Sequence, residues 1–182
     1  MAGKKSILIL GFIGILIVSV CAALGGFLDP AAAQSTQIQV EKNKAIALRF
    51  CQVWGKGDRL GLIDELASPE ITVYYPLFPR PIKGIAALKG YFGVRFPSIF
   101  GDTDMQVDEV IAEGDKVVVR YNWSATHQGE WPPGTPATGK RLKLTGIIIY
   151  HIVDGKVVDE RGEEDYLALF RELGLLPKPS TQ

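Results

Sequence analysis

The sequence predicts an α+β fold in which helices come first and a meander of antiparallel strands follows, with the helices packed on one face of a curved sheet. Apolar residues recur at helical spacing from Glu41 to Trp54. From Met105 onward the chain instead becomes rich in β-branched and aromatic residues. The dipeptide Asp154-Gly155 separates two such runs and is a strong hairpin signal.

Three shorter elements are predicted ahead of the sheet. A helix over Asp58 to Ala67 begins at Asp58, whose side chain is a suitable N-cap. The β-branched and aromatic run from Ile71 to Tyr75 predicts a strand, which the following prolines end. Helical spacing returns from Gly84 to Phe96.

Four long strands and a closing helix are predicted for the second half of the chain. Turn residues at 113–115 and 154–155 separate the strands in pairs. The predicted strands are Met105–Ala112, Lys116–Gln128, Lys140–Val153 and Lys156–Glu163. The final helix, Tyr166 to Leu173, is expected to end at Gly174, because glycine readily takes the left-handed conformation that terminates a helix.

The first 33 residues are predicted to be an export or membrane-anchoring segment. Lys4 and Lys5 precede an uncharged apolar run over residues 7–28, and alanines lead to a plausible cleavage point after residue 33. Since about 20 apolar residues suffice to cross a bilayer, a cleaved signal peptide and a retained anchor both stay open. The domain that follows is expected to be exported (periplasmic or extracellular) or anchored to a membrane.

The chain is expected to divide into a linker over 34–40, a domain over 41–176 and a flexible tail over 177–182.

The composition of the chain excludes several classes of function. The 20 basic and 20 acidic residues form no basic cluster, which argues against nucleic acid and leaves the N-terminal segment as the membrane contact. Cys51 is the single cysteine beyond residue 33, so no disulfide within the domain is expected. No metal-ligand spacing and no nucleotide motif occur, so neither a metal nor a cofactor is predicted.

A candidate site follows from side-chain alternation in the strand Lys116–Gln128. Its odd positions are mostly apolar and aromatic, and they place His127 on the same face as Tyr121 and Trp123. The imidazole therefore points toward the core or toward a cavity within it. A core histidine satisfied by one hydrogen bond and a functional histidine both stay open.

Carboxylates and one tryptophan are the other candidates. The acidic residues at 159–165 include groups able to orient His127 for acid/base chemistry, although most of them fit a solvated strand edge and Asp165 fits an N-cap of the last helix. Trp131 offers apolar surface near His127 within the proline-rich segment 129–139. That segment is a pocket lid, a dimer contact or simply a stiff connection.

Three segments of the chain together resemble a known family. They are KNKAIALRFCQVWGKGD, ATHQGEWPPGTPATGKRLKLTGI and DGKVVDERGEEDYLALFRELGLL. The sequence resembles the SnoaL-like polyketide cyclase (ester cyclase) family of the nuclear transport factor 2-like superfamily over about residues 41–176. The resemblance implies a cone-shaped fold, with helices on the concave face of the sheet around one mostly apolar pocket. It also implies an intramolecular aldol closure driven by acid/base residues without metal or cofactor.

The resemblance also assigns residues, and the sequence departs from the family at two places. His127 stands where the family has its pocket histidine, and Asp165 matches the aspartate that opens the last helix. Where family members often carry an Asp-His pair after the first strand, this chain has Val73-Tyr74. Where a His-Trp pair is expected in the last strand, it has Glu160-Arg161.

These observations lead to two functional hypotheses. The first is an exported acid/base enzyme acting on a small apolar carbonyl compound, with His127 as the base and a carboxylate such as Asp165 orienting it. Tyr74, Tyr121, Trp123 and Trp131 would bind the substrate. The second is a non-catalytic module of the same fold that binds a small hydrophobic molecule or forms a homodimer through the outer face of its sheet. Export favours a diverged member over an ordinary polyketide cyclase, whose work is intracellular.

Overall fold

The computed structural model describes residues 29–177, which form parts of two compact units, Met1–Ile38 and Gln39–Gln182. Most of the predicted export segment, residues 1–28, lies outside the described residues. Among the residues that are described, no helix combines the length and the hydropathy needed to span a membrane. The sheet and the candidate site belong to the second unit.

Five α-helices occur within residues 29–177. They are α1 (Pro30–Phe50), α2 (Arg59–Leu66), α3 (Ile85–Gly90), α4 (Phe96–Ile99) and α5 (Tyr166–Leu173). A 3₁₀ turn, Cys51–Trp54, follows α1, and a π-helical turn, Tyr91–Arg95, joins α3 to α4.

The first helix is longer than predicted at its start and shorter at its end. Asp29 caps it by accepting a 3.0 Å hydrogen bond from the backbone N–H of Ala31, and Pro30 occupies the first helical position, where a missing N–H costs nothing. The segment 34–40, predicted as a linker, is therefore helical. The last predicted turn tightens into the 3₁₀ turn that contains Trp54.

The predicted helix over Gly84 to Phe96 exists, but its hydrogen bonding changes midway. The N–H of Phe96 donates to the carbonyl of Tyr91, five residues back, instead of to the residue four back. Pro97, at the start of α4, has no N–H with which to continue the regular pattern. The π-helical turn therefore lies directly before the proline and carries aromatic residues.

Six strands form one curved sheet in the order β2-β1-β6-β5-β4-β3. They are β1 (Ala67–Tyr74), β2 (Ile82–Lys83), β3 (Phe100–Glu113), β4 (Lys116–His127), β5 (Arg141–Val153) and β6 (Lys156–Glu164). The predicted meander from β3 to β6 is confirmed. The sheet is mixed rather than wholly antiparallel, because β1 pairs with β6 in parallel. Helices and four other strands separate β1 from β6 along the chain, so no hairpin fixes their relative direction.

The predicted alternation of side chains in β4 and the predicted hairpin turn at Asp154-Gly155 are both confirmed. In β4 every odd position from Val117 to His127 is buried. Asp154 and Gly155 both have positive φ (49° and 75°). A two-residue hairpin turn requires this conformation if its twist is to match that of the two flanking strands. Exposed Ile147 and Ile149 lie on the opposite, outer face of the sheet.

Asp165 caps α5, since its carboxylate accepts a 3.0 Å hydrogen bond from the backbone N–H of Ala168. We expect Asp165→Ala to lower the free energy of unfolding by about 1 kcal/mol, because the N–H groups at the start of the helix lose their acceptor. Asp165→Asn should keep most of that stability, since its amide oxygen still accepts. Urea unfolding measures both. An Asn variant as unstable as the Ala variant would show that charge, not capping, is what matters here.

Candidate active site

An aromatic cavity opens between the sheet and the helices of the second unit. The space between its walls amounts to about 480 Å³, including its opening to solvent. Its aromatic lining residues are Trp54, Tyr75, Phe78, Tyr91, Phe96, Phe100, Trp123, Trp131 and Tyr166, and its other lining residues are Leu77, Leu144, Leu169 and Glu164. No lysine, arginine or histidine is among them. Glu164 is thus the one carboxyl group in an otherwise apolar and phenolic lining.

Glu164 is held in place by tyrosines. It is the last residue of β6, and its Oε1 accepts a 2.6 Å hydrogen bond from the hydroxyl of Tyr121. The Tyr121 hydroxyl lies over Gly146 of the neighbouring strand, where any side chain would overlap it. Burial raises the pKa of Glu164 above its ordinary value, and hydrogen bonds from Tyr121 and Tyr166 partly offset that rise. A carboxylate whose conjugate acid has a raised pKa is a stronger base than an ordinary carboxylate, which suits it to proton abstraction.

A second carboxyl group, Glu160, lies behind the cavity wall. Its side chain is only 2% exposed, and it does not line the cavity. Oε1 accepts a 2.7 Å hydrogen bond from the Tyr75 hydroxyl and a 2.8 Å hydrogen bond from the indole N–H of Trp54. Burial raises the pKa of Glu160 to about 7, against the opposing effect of these two donors.

Of the residues predicted to bind substrate, Trp123 and Trp131 line the cavity. Tyr121 does not line it, and instead supports Glu164 from within the core. Trp131 reaches the cavity from the proline-rich segment and packs edge-on against Phe100, with ring centroids 5.3 Å apart. Segment 129–139 thus supplies a cavity wall.

The structure places His127 beside Thr138 and does not show the predicted pairing with a carboxylate. His127 is fully buried outside the cavity lining, and its Nδ1 lies 3.0 Å from the hydroxyl of Thr138. Burial lowers the pKa of the imidazole. Asp165 is exposed and is committed to the N-terminus of α5. Phe100, the pairing partner of His127 across β3 and β4, takes the place at the cavity that was expected for the imidazole.

Tyr74 was expected to donate into the pocket, and it points to the other side of the sheet. Its ring stacks beneath the guanidinium of Arg161, 4.5 Å from the ring centroid, and Arg161 also pairs with Asp159 at 2.8 Å. Because side chains alternate along a strand, Val73 and Tyr75 face inward instead. Tyr75 is therefore the tyrosine that reaches the cavity.

The sequence left open which carboxyl group of the acidic cluster at 159–165 turns inward, because of an irregularity in β6. Val157 faces the core, and simple alternation from it would send Asp159 inward. The pairing of β5 with β6 shifts by one residue between residues 157 and 159, so Glu160 and then Glu164 turn inward. Nothing in the residue pattern marks this bulge. Across the described residues, no group of three or more acidic, histidine or cysteine side chains is arranged to hold a metal ion.

The raised pKa of Glu160 makes a prediction about stability. The folded protein keeps the proton up to about pH 7, whereas an unfolded chain releases it near the ordinary value of 4.5, so stability falls as pH rises between them. We expect Glu160→Gln to gain about 3 kcal/mol in unfolding free energy relative to the wild type between pH 4.5 and pH 7.5. Urea unfolding across this range measures the difference. Parallel profiles for the two proteins would contradict the assignment.

The comparisons with known proteins agree with this architecture. A family model for the SnoaL-like polyketide cyclases matches residues 44–173. Over 41 residues the chain is 49% identical to the aklanonic acid methyl ester cyclase DnrD of Streptomyces peucetius, a match that covers 22% of this chain and 28% of that enzyme. The chain thus matches little more than a quarter of the length of this curated relative.

Two solved structures extend the likeness to the whole domain. AclR from Streptomyces galilaeus, provisionally assigned as a hydroxylase, is 29% identical with a TM-score of 0.64, over 76% of this chain and 89% of AclR. A provisionally assigned polyketide cyclase from Acidithiobacillus ferrooxidans is 28% identical with a TM-score of 0.63, over 75% of this chain and 96% of its own. Because their assigned reactions differ, these two structures support the fold and the family of this chain but do not indicate one particular reaction. The resemblance seen in the sequence is confirmed, and the chain belongs to the SnoaL-like polyketide cyclase family.

Proposed function

We propose that this protein is an acid/base enzyme of the cyclase or isomerase type, acting on a small, uncharged and largely apolar carbonyl compound. The observation that carries the proposal is Glu164, a carboxyl group with a raised pKa in the wall of an aromatic cavity. Family membership supports the general class of reaction. Glu164 takes the role that the sequence suggested for His127.

The chemistry follows from the groups around the cavity. Ionised Glu164 removes a proton from the carbon next to a carbonyl group, and the electron pair of that C–H bond moves onto the carbonyl oxygen as an enolate. Tyr91 lines the same cavity, and its hydroxyl is a candidate donor to that oxygen. In a cyclase, the enolate carbon then attacks a second carbonyl group of the same molecule, and the new alkoxide takes the proton back from Glu164.

The apolar walls and a single carboxyl group also favour one charge state of the substrate. A free carboxylate bound here would lose its water without gaining a cationic partner, and it would face the negative charge of Glu164. An ester or ketone avoids both costs. If the predicted export segment over residues 1–33 acts as proposed, this chemistry takes place outside the cytoplasm.

The role of Glu164 is tested with 2-tetralone, an uncharged bicyclic ketone. We expect the wild type to accelerate exchange of its α-protons with D₂O, followed by proton NMR. Glu164→Gln should lower the enzymatic rate by about 100-fold or more, because an amide cannot accept the proton. Glu163→Gln is the matched control, since Glu163 is exposed on the opposite face of the same strand.

Two results would overturn the proposal. One is an E164Q variant that exchanges protons as fast as the wild type. The other is a wild type that binds 2-naphthol, an analogue of the enol, yet does not accelerate exchange. The second result would favour the non-catalytic ligand-binding alternative.

Charge selection is tested with methyl 2-naphthoate and 2-naphthoate, which share one ring system. At pH 8 we expect the ester to bind at least about tenfold more tightly than the carboxylate, because the carboxylate must be desolvated without a partner. Isothermal titration measures both affinities. Glu164→Gln should narrow the gap by removing the like charge, and equal affinities in the wild type would contradict this account.

A further inference from the structure

Two aromatic walls of the cavity share one buried carboxyl group as their hydrogen-bond acceptor, and a third wall is hydrogen-bonded to one of these two. Tyr75 and Trp54 both donate to Oε1 of Glu160. The carbonyl oxygen of Trp54 in turn accepts a 2.9 Å hydrogen bond from the indole N–H of Trp123. Tyr75, Trp54 and Trp123 all line the cavity, whereas Glu160 does not. The three rings come from the residue that follows β1, from the 3₁₀ turn and from β4, which are distant in the chain.

We propose that Glu160 is a positioning residue that fixes Trp54 and Tyr75, and through Trp54 also Trp123, as the rigid walls that set the shape of the substrate cavity. The proposal rests on the cavity being the ligand site of the proposed function. It adds a role for a group that takes no part in the proton transfer assigned to Glu164.

The geometry favours a fixed arrangement. Two donors from different elements meet at a single oxygen atom, so neither ring can turn without leaving a buried polar group unpaired. The rings of Trp54 and Tyr75 also contact each other, with centroids 4.8 Å apart at an angle of 60°. An acceptor at this point therefore holds both rings and their mutual contact.

Gly162 completes the arrangement from the same strand. It lies two residues after Glu160 on the same face of β6, and any side chain at this position would overlap Cε1 and Cζ of Tyr75. One strand thus provides both the surface on which the Tyr75 ring lies and the acceptor for its hydroxyl. The φ of Gly162 is not in the left-handed region, so it is the space above it, and not its backbone freedom, that requires glycine.

The test needs no ligand. The chain has three tryptophans, so a Trp131→Phe background leaves Trp54 and Trp123 as the only tryptophan fluorophores. In this background we expect Glu160→Leu to raise the acrylamide quenching constant at least about twofold and to weaken the near-ultraviolet circular dichroism. Glu160→Gln should leave both unchanged, since its amide oxygen still accepts from both donors. Glu163→Leu, on the exposed face, is the matched control.

A double-mutant cycle isolates the hydrogen-bonded unit. Tyr75→Phe should raise the acrylamide quenching constant of the tryptophans in the parent and should add nothing in the Glu160→Leu protein, because the acceptor is already gone. Quenching and spectra like the parent in folded Glu160→Leu would overturn the proposal. So would a Glu160→Gln protein that behaves like Glu160→Leu, since the charge and not the acceptor would then be essential.

Gly162→Ala keeps the proposal testable if Glu160→Leu loses its far-ultraviolet spectrum. It retains the acceptor but displaces the Tyr75 ring, and we expect it to weaken binding of 2-naphthol about tenfold and to alter the near-ultraviolet spectrum. A spectrum unchanged from the parent would count against the proposal. Because the quenching and spectral measurements need no ligand, their outcome is separate from that of the exchange assay on Glu164.

Discussion

The arrangement of the cavity walls depends on one buried carboxyl group, which requires hydrogen-bond donors. Glu160 is removed from water, and a carboxyl group in that position is tolerated only when donors reach its oxygens. The donors are an indole from the 3₁₀ turn and a phenol from the end of β1. These two hydrogen bonds fix the 3₁₀ turn and the segment that follows β1 against β6. The carbonyl group of Trp54 then fixes Trp123 of a third element.

Strand β6 carries two carboxyl groups on its inner face and gives them different surroundings. After the bulge its inward positions are Glu160, Gly162 and Glu164. The glycine leaves room for an aromatic ring, so one carboxyl group is covered by Tyr75 while the other, at the end of the strand, faces the cavity. The same cause, burial, raises the pKa of both groups. Of the two, only Glu164 lines the cavity, which is why the proposed function gives it the proton transfer and gives Glu160 the positioning.

The regular parts of the fold were predictable from residue patterns alone. Alternation in β4, the Asp154-Gly155 turn and the cap of α5 each depend on a few neighbouring residues. The site was less predictable, because it depends on a bulge in β6 and on long-range pairing. Tyr75 is instructive, since alternation through Ile71 and Val73 points to it, whereas the position equivalent in the family suggested Tyr74. Here the local physical pattern was the better guide.

The departures from the family pattern are consistent with one another. A glutamate at position 160, where a histidine is expected, introduces a buried acid behind the aromatic wall of the cavity. That substitution is stable only together with donors at positions 54 and 75 and an empty space at 162. Arg161, which replaces the expected tryptophan, finds its partners Tyr74 and Asp159 on the outer face. The changed residues therefore form two local sets, one on each face of β6, and Glu160 reaches the cavity only through Trp54 and Tyr75, which line it.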